Sequence, residues 1–586
     1  MKSANKMLPD IVDNANNPIE ITELFKRKYS KIYQSVPTSD TELGQIICAI
    51  DEKIDNFNHI DCTITPILIR SCIMKLKSDK SDGDLGFNSN HLINGSKRLH
   101  VMLSILFNAM LFHGYYPDEL LKSTIISIPK DKSASLCNSN NYRGISLFNS
   151  ISKLYDYVII ELCGDRLLTS DMQFGYKENH STTMCTAIFR EVIEHYVNGH
   201  SNVYSCLLDA SKAFDKIHYG KLFKVLLSKN IDPHLIRIIL NSYIRQKSRV
   251  SWGDHMSPYF SLANGVKQGG VASAIFFTLY IDSLLIQLKE SGYGCYIDGI
   301  FIGALSYADD ITLISPSIRG LNKMINICSD FADDYHITFN NTKSVCIKFG
   351  DKVNQHEKVF LKTSEIAWVN NIRHLGNYFD TSLTDELDCQ MKISSFIGNV
   401  NKLNANFGHL HKDAICRLYK SYCCSFYGSQ SWRIDSLYFL KVCTAWNKGV
   451  RRIVNVPYRT HTWMLGPLLN QSHLRYQLQH RTIRFLHGMA HSSNHIVKTC
   501  FDHAMRNANT SIGYNLALIR NKYGFNISDH TYTYCMKMSS QPKLSRREIT
   551  IIQEVNALLN ARCGMYNLDG FNSADIDILI DLIATD

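Results

Sequence analysis

The stretch ALSYADDITLIS (residues 304–315) places two adjacent acids, Asp309 and Asp310, between two short apolar runs. The apolar flanks predict two buried strands joined by a tight turn, with both carboxylates at its tip. Asp disfavours strands, and adjacent like charges repel. The acids must therefore be compensated by something outside the hairpin.

A second Ala-Asp-Asp, in FADDYH (331–336), serves as an internal comparison. There the apolar residues recur at helical spacing, which puts Asp333 and Asp334 on the opposite, solvated face. The same tripeptide thus predicts an ordinary solvated surface at Asp333 and Asp334 but a functional site at Asp309 and Asp310, because the hairpin has no polar face for its acids.

Acids at strand ends are tolerable where a divalent cation neutralises them, and Mg²⁺ prefers carboxylate and phosphate oxygens. Two such ions about 4 Å apart can activate an attacking oxygen and stabilise a leaving one in phosphoryl transfer. Asp209, at the end of the apolar strand VYSCLLD (203–209), is the best-placed third acid. Asp215, six residues later, is predicted to cap or pair locally.

Composition indicates a folded intracellular protein, with 45% hydrophobic and 20% charged residues. The apolar segment AIFFTLYIDSLLI (274–286) is too short for a membrane span and contains an Asp. No secretory signal opens the chain, so the 18 cysteines are expected to be reduced. The histidines from His487 to His503, with Cys500, favour a basic helical face over a zinc site, because no CxxC pair accompanies them.

Positive charge is concentrated in residues 401–500, which carry only two acids, Asp413 and Asp435. Their net charge exceeds the +10 of the whole chain, and tryptophans such as Trp432 and Trp446 are interleaved. This composition is typical of a surface that holds a phosphate backbone with bases stacked on rings.

Three segments resemble, in order and spacing, the A, B and C motifs of reverse transcriptases: LDASKAFD (208–215), GVKQGG (265–270) and YADD (307–310). The likeness extends to flanking segments and is strongest to the reverse transcriptases of non-LTR retrotransposons, which copy themselves by target-primed reverse transcription. NYRGISL, QFGYKENHSTTMCTAI, FNNTKS and RHLGNYFD carry the flanking resemblance.

The resemblance implies an α+β right-hand polymerase with fingers, an antiparallel palm sheet and a helical thumb, followed by a helical basic C-terminal region. The expected domains are an N-terminal helical extension or linker (1–60), fingers and palm (61–384), thumb (385–460) and a nucleic-acid-binding region (461–586). Elements of this kind commonly carry an endonuclease, for which about 60 residues leave no room. We therefore expect a truncated copy, a polyprotein fragment, or a product that works with a separate nuclease.

The resemblance also implies catalytic roles. Asp209 and Asp309 would be the main metal ligands, with Asp310 beside them, for Mg²⁺ or alternatively Mn²⁺. Phe214 would be the sugar gate that rejects a 2′-hydroxyl. Lys343 would act as a general acid near the leaving pyrophosphate.

Gln268 and Gly269 would form the floor under the incoming nucleotide, while Arg143 and Lys130 would hold its triphosphate. Basic residues of the C-terminal half would grip an RNA–DNA hybrid or template end, with Lys441, Lys448 and Arg452 on one side of a helix. The predicted nucleic-acid contacts are Lys441, Lys448, Arg451, Arg452 and Arg459.

The first functional hypothesis is an RNA-directed DNA polymerase that uses deoxynucleoside triphosphates, an RNA template and a DNA primer or target, in the nucleus and/or cytoplasm, without a membrane. The second is a weak or inactive RNA-binding remnant. This remnant hypothesis stays open because residue 274 is alanine, where motif B of reverse transcriptases usually has proline. An RNA-dependent RNA polymerase is disfavoured by Phe214, because such enzymes usually place a smaller polar residue at the gate.

Overall fold

The structure is a computed structural model that describes residues 9–56, 62–80, 88–266, 268–350 and 358–523. The predicted C-terminal region beyond residue 523 lies outside the described residues.

Helices occupy most of both ends of the described chain. Their bounds are α1 Pro18–Tyr33, α2 Asp40–Asp55, α3 Pro66–Ile73, α4 Ser89–Ile93, α5 Lys97–His113, α6 Ser150–Cys163, α7 Thr182–Asn198, α8 Tyr219–Ser228, α9 Pro233–Arg245, α10 Val271–Glu290, α11 Ile318–Asp334, α12 Glu386–Phe407, α13 Lys412–Tyr422, α14 Leu437–Val454, α15 Thr462–Leu468, α16 Leu474–Ala490, α17 His495–Arg506 and α18 Ser511–Tyr523.

Within the described residues, the strands lie in the middle of the chain, between residues 122 and 380. Their bounds are β1 Lys122–Pro129, β2 Tyr142–Phe148, β3 Val203–Asp209, β4 Lys247–Trp252, β5 His255–Met256, β6 Phe260–Ser261, β7 Tyr296–Ile297, β8 Ile300–Phe301, β9 Ala304–Tyr307, β10 Asp310–Ser315, β11 Val345–Phe349, β12 Phe360–Leu361, β13 Ser364–Glu365, β14 Ala367–Trp368, β15 Asn371–His374 and β16 Asn377–Asp380.

The central sheet has the strand order β14-β11-β3-β10-β9. The pairs β11–β3, β3–β10 and β10–β9 are antiparallel, and only the short edge strand β14 runs parallel to its neighbour. The predicted hairpin is β9 and β10, whose inward residues Leu305, Ile311 and Leu313 are fully buried. The prediction of an antiparallel palm sheet is confirmed.

A second sheet forms the fingers, in the order β2-β1-β4-β5, with β6 also paired to β4. Helix α1 covers it, because Phe25 and Tyr29 share one helical face and pack with Tyr142 and Trp252 in a common core. Phe25 stacks on Trp252 with ring centroids 5.2 Å apart. The sequence predicted this N-terminal segment only as an extension or linker.

Helix α10 follows motif B and crosses the palm core. Among the described residues it is the one helix long and apolar enough to cross a membrane, but two thirds (67%) of its most apolar stretch is buried inside the protein. Phe276, Phe277 and Tyr280 are almost completely buried in that core. Its hydrophobicity is therefore accounted for by packing.

The C-terminal helices build a separate core and then return to the palm. Residues of α12 to α16 pack around Trp432 and Trp446, which are 1% and 0% exposed. The expectation that these two rings stack on bases is wrong, because both are core residues. The second half of α16 joins the main core together with α17 and α18, and these last two helices pack against α7.

A buried charge network fixes the start of α12 to α7. Arg190 Nε lies 2.9 Å from Glu194 Oε1, and its Nη1 lies 2.5 Å from Asp385 Oδ1. A third arm donates to the Leu383 carbonyl at 2.8 Å. All three charged side chains are less than 10% exposed, so each charge depends on the others for compensation.

Candidate active site

The acids of motifs A and C meet on adjacent strands of the palm. Asp209 ends β3 and Asp310 begins β10, and the two are direct cross-strand partners. Asp309 occupies the two-residue turn with Ala308, whose φ of 59° is left-handed. The sheet register thus brings the three predicted carboxylates to one edge.

A buried glutamine that the sequence did not indicate holds this turn. Gln173 is 0% exposed, and its Oε1 accepts from the backbone N–H groups of Ala308 and Gly175, both at 2.9 Å. Its Nε2 donates to Ser306 Oγ at 3.1 Å. Gly175 must be glycine, because a Cβ there would lie 2.4 Å from the Ala308 nitrogen.

Electrostatic repulsion is built into the carboxylate group. Burial, then repulsion from Asp309 and Asp209, raises the pKa of Asp310 to about 6, although that residue retains solvent exposure. Burial and the Asp209 charge also raise the pKa of Asp309, against a lowering effect of Arg143. Burial and the neighbouring carboxylates thus disfavour ionisation of Asp309 and Asp310.

Within the described ranges, no three His, Cys, Asp or Glu side chains converge closely enough to be a ready-made metal site. Asp209, Asp309 and Asp310 nevertheless fit a divalent cation by their chemistry. Hard oxygen donors lie at one sheet edge, and their mutual repulsion would be relieved by positive charge. The histidines of α16 and α17 do not form a metal cluster either, since His503 Nδ1 lies 3.0 Å from Glu191 Oε1.

The loop before β11 supports motif A from the other side. Ser344 Oγ accepts from the Asp209 backbone N–H at 3.2 Å, and the Asn340 N–H donates to the Asp209 carbonyl at 2.8 Å. Lys343 extends from this loop, with Nζ 3.8 Å from Asp209 Oδ2. The predicted general acid therefore lies beside the predicted metal ligand.

The ring of Phe214 is fixed in position at the predicted sugar gate. It lies in the short 3-10 turn Phe214–Lys216 and stacks on Phe277 of α10, with centroids 4.0 Å apart and planes 13° apart. Tyr176 meets the ring edge-on at 6.3 Å. The stacking leaves the ring little freedom to move aside.

Gln268 connects motif B to motif A and to the fingers. Its carbonyl accepts from the Ser146 N–H at 2.8 Å, and its Nε2 donates to Asp215 Oδ1 at 3.0 Å. The Asp215 Oδ1 also accepts from the Tyr33 hydroxyl at 3.1 Å. The expectation that Asp215 pairs locally is wrong, because its partners are 53 and 182 residues away.

Gly269 permits the close approach of motif B to the fingers. Its φ is +113°, and a Cβ there would lie 2.7 Å from the Ser146 carbonyl oxygen. Only glycine combines this backbone conformation with that contact.

The fingers residues lie near the same edge. Lys130 Nζ donates to the Asn140 carbonyl at 3.0 Å, and burial together with Lys212, Arg143 and Lys343 lowers its pKa. Arg143 is exposed on β2. Its charge partly offsets the rise that burial causes in the pKa of Asp309 and of Asp215. Arg143 is therefore within electrostatic reach of Asp309, and Lys130 is within reach of Arg143 and Asp215.

The basic residues of the C-terminal half have different environments. Lys441, Lys448 and Arg452 line a cleft of about 560 Å³ between α12 and α14. Arg451 turns inward, with Nη2 donating to the Thr460 carbonyl at 2.7 Å, so its guanidinium serves the fold. Arg459 is exposed and bonds the Tyr458 hydroxyl at 2.8 Å.

Comparison with known proteins agrees with this arrangement. Residues 128–379 match the family described as reverse transcriptase (RNA-dependent DNA polymerase). The chain contains a reverse transcriptase domain. That domain contains the central sheet, the second sheet apart from most of β1, and every predicted catalytic and nucleotide-site residue named above. Its resemblance to the polymerases of non-LTR retrotransposons is confirmed.

Two relatives illustrate the range of similarity. The RNA-directed DNA polymerase from mobile element jockey of Drosophila funebris is 24% identical over 67% of this chain and 44% of that protein. The Pol polyprotein of type-2 retrotransposable element R2DM of Drosophila melanogaster is 24% identical over 46% of this chain and 25% of that protein. The chain thus spans less than half the length of the curated relatives it matches.

Among solved structures, an apo telomerase from Candida tropicalis aligns at 12% identity with a TM-score of 0.34. The alignment covers 48% of this chain and 59% of that one. The fold assignment rests on the reverse transcriptase domain and the strand pairings.

Proposed function

We propose that the chain is an RNA-directed DNA polymerase of a non-LTR retrotransposon, which adds deoxynucleotides to a primer 3′-hydroxyl on an RNA template. The observation that carries the proposal is the cross-strand pairing of Asp209 with Asp310, with Asp309 in the adjoining turn. Asp309 and Asp310 lie where two buried strands meet, and burial together with the neighbouring carboxylates raises their pKa values, an arrangement that suits cation-dependent phosphoryl transfer.

In the proposed reaction, the primer hydroxyl attacks the α-phosphate of a bound nucleotide and pyrophosphate leaves. Arg143 and Lys130 hold the triphosphate by charge-assisted bonds, which also orient the α-phosphate for in-line attack. Phe214 closes the space beside the sugar, so that a 2′-hydroxyl collides with its ring. Lys343 is within reach of a leaving group held near Asp209 and can donate a proton to it.

Asp209, Asp309 and Asp310 are the residues that would hold divalent cations. When bound, Mg²⁺ supplies charge neutralisation at the attacking and leaving oxygens. An RNA template and a DNA primer are the partners that this proposal implies.

Primer extension by the purified chain on a primed RNA template tests the proposal. We expect deoxynucleotide incorporation by the wild type and none by Asp309→Asn, which removes one carboxylate but keeps the side-chain shape. Asp333→Asn is the matched control, because it removes the same charge from the second Ala-Asp-Asp, on α11, where Asp333 pairs with Lys362 at the surface. Incorporation by Asp309→Asn at the wild-type rate would refute the assignment.

Two further outcomes separate the alternatives. A wild type that binds the template tightly but makes no product would identify an RNA-binding remnant, and Ala274→Pro would be the first restoration to try. Efficient incorporation of ribonucleotides instead of deoxynucleotides would identify an RNA polymerase and exclude Phe214 as a gate.

A further inference from the structure

A lysine-rich pocket of about 550 Å³ lies beside the proposed active site, where α1 meets the turn that follows β3. Four of its lining residues are lysines, two from each of these segments. The lining comprises Asp13, Leu24, Lys28, Lys31, Ile32, Ser35, Ser139, Asn140, Lys212 and Lys216.

The charge of the pocket is not balanced by its own lining. Asp13 is the single acid there, and its Oδ1 already accepts from the Ser139 N–H at 3.0 Å. Lys28 Nζ donates to the Ser139 carbonyl at 2.6 Å, and Lys216 Nζ donates to Thr338 Oγ1 at 3.1 Å. Lys28 also interacts electrostatically with Asp13, but this one acid faces four lysines, so the lining keeps an excess of positive charge that favours an anion in the pocket.

The pocket continues electrically into the nucleotide site. Burial, then Lys130 and Lys212, lowers the pKa of Lys28. Burial, then Lys212, Arg143 and Lys343, lowers the pKa of Lys130 in turn. A row of cations therefore runs from the carboxylate edge through the proposed triphosphate grip to α1.

We propose that this pocket binds a free polyphosphate anion, namely the pyrophosphate that leaves the site or the triphosphate tail of a nucleotide that enters it. The biological meaning rests on the proposed polymerase function, since polymerisation generates pyrophosphate next to Lys343. The α1 lysines would give the anion a second holding point, outside the catalytic carboxylates.

A free phosphate anion fits the pocket better than a nucleic-acid strand does. Its lining has no aromatic ring, and the apolar members Leu24 and Ile32 are aliphatic. A groove for single-stranded nucleic acid combines positive charge with rings on which bases stack. The lining instead offers hydrogen-bond donors from which phosphate oxygens can accept: serine hydroxyls, an asparagine amide and lysine ammonium groups.

The test is calorimetric titration of the full chain with inorganic pyrophosphate in the presence of Mg²⁺. The variant combines Lys31→Gln with Lys212→Asn; both positions are exposed, and asparagine tolerates the left-handed φ of 53° at position 212. The control combines Lys26→Gln with Arg27→Gln, which removes the same charge from α1 outside the pocket lining. We expect at least tenfold weaker pyrophosphate binding in the first double variant and less than a twofold change in the control.

Equal affinities in the two double variants would overturn the proposal. It would also be overturned if the pocket variant lost affinity for a single-stranded RNA oligonucleotide but kept its affinity for pyrophosphate, because the lysines would then contact a strand. Failure of the polymerase proposal is distinguishable. If the wild type binds pyrophosphate through Lys31 and Lys212 but incorporates no nucleotide, the pocket proposal is supported and the polymerase proposal is refuted.

Discussion

Gln173→Leu is expected to impair catalysis by releasing the turn that carries Asp309. Leucine is similar in size to glutamine but has no amide group. The substitution therefore removes the acceptor for the Ala308 and Gly175 N–H groups and the donor to Ser306 Oγ. Two backbone donors would be left unpaired in a site that is 0% exposed at residue 173. At about 1 to 3 kcal/mol for each unsatisfied buried group, the two unpaired donors destabilise the native turn by about 2 to 6 kcal/mol.

The structure has two ways to respond to this loss, and they give different results. If the turn moves so that its N–H groups reach water, the carboxylates shift, and a displacement of about 1 Å can cost about 100-fold in rate. If the turn stays in place, the whole penalty appears as lower stability. We expect the first, because the remaining bond to this turn, from Ser306 Oγ to the Ala308 carbonyl at 2.9 Å, does not replace the acceptor that the Ala308 N–H has lost.

The assay is steady-state primer extension, accompanied by thermal unfolding. We expect kcat to fall about 100-fold while the affinity for primed RNA stays within twofold. Gln246→Leu is the control, since Gln246 is also buried, at 1% exposed, but bonds Tyr219 outside the hairpin. A wild-type kcat in Gln173→Leu, with stability lowered as in Gln246→Leu, would refute the claim that Gln173 positions the acids.

Three further substitutions probe the predicted sugar gate Phe214, the buried charge network around Arg190, and the buried histidine His374. Phe214→Val should lower the preference for deoxynucleotides over ribonucleotides by about tenfold or more, measured as the ratio of kcat/KM values; an unchanged ratio would exclude the ring as the gate. Arg190→Met should lower the free energy of unfolding by about 3 to 5 kcal/mol in chemical denaturation, because Glu194 and Asp385 lose their cation, and a loss below 1 kcal/mol would count against a buried network. Burial lowers the pKa of His374 from 6.5 to about 4, so its contribution to stability is complete above pH 6.5 and is lost as the pH falls towards 4. His374→Phe should therefore reduce the acid-side loss of stability between pH 7 and 5 in urea unfolding, and an equal loss in both proteins would contradict this.

Local patterns were sufficient to predict the strands that carry the three acids, whereas the antiparallel palm sheet was implied by the resemblance to reverse transcriptases. The hairpin around Asp309 and Asp310 is visible in the sequence because apolar runs flank the acids, and Asp209 is visible because it ends another apolar run. Their pairing needs only the antiparallel register of β3 with β10. The contrast with Asp333 holds as well, since it lies on the exposed face of α11.

Residues whose role depends on a distant partner could not be predicted in this way. Gln173 reads as one polar residue in a loop, and only the fold shows that its amide ends against Ala308, in the turn between β9 and β10. Trp432 and Trp446 were misread because a basic segment with aromatic residues looks the same whether its rings face solvent or the core. The spacing of Val442, Trp446 and Val450 along α14 places Trp446 on the packed face, and this local pattern is the better guide.

Helix α1 shows why a division of the chain into segments misses part of the site. Phe25 and Tyr29 stabilise the fingers sheet, the latter through a 3.0 Å bond to Ser127, and Tyr33, one turn further on, reaches Asp215 beneath Gln268. Burial raises the pKa of Asp215 to about 6, so its carboxylate depends on the bonds from Tyr33 and Gln268 for compensation. One helical face thus carries both the packing of the fingers and the support of the nucleotide floor. Loss of α1 would remove them together, because the side chains that pack and the hydroxyl that positions Asp215 follow one another along the same face of the helix.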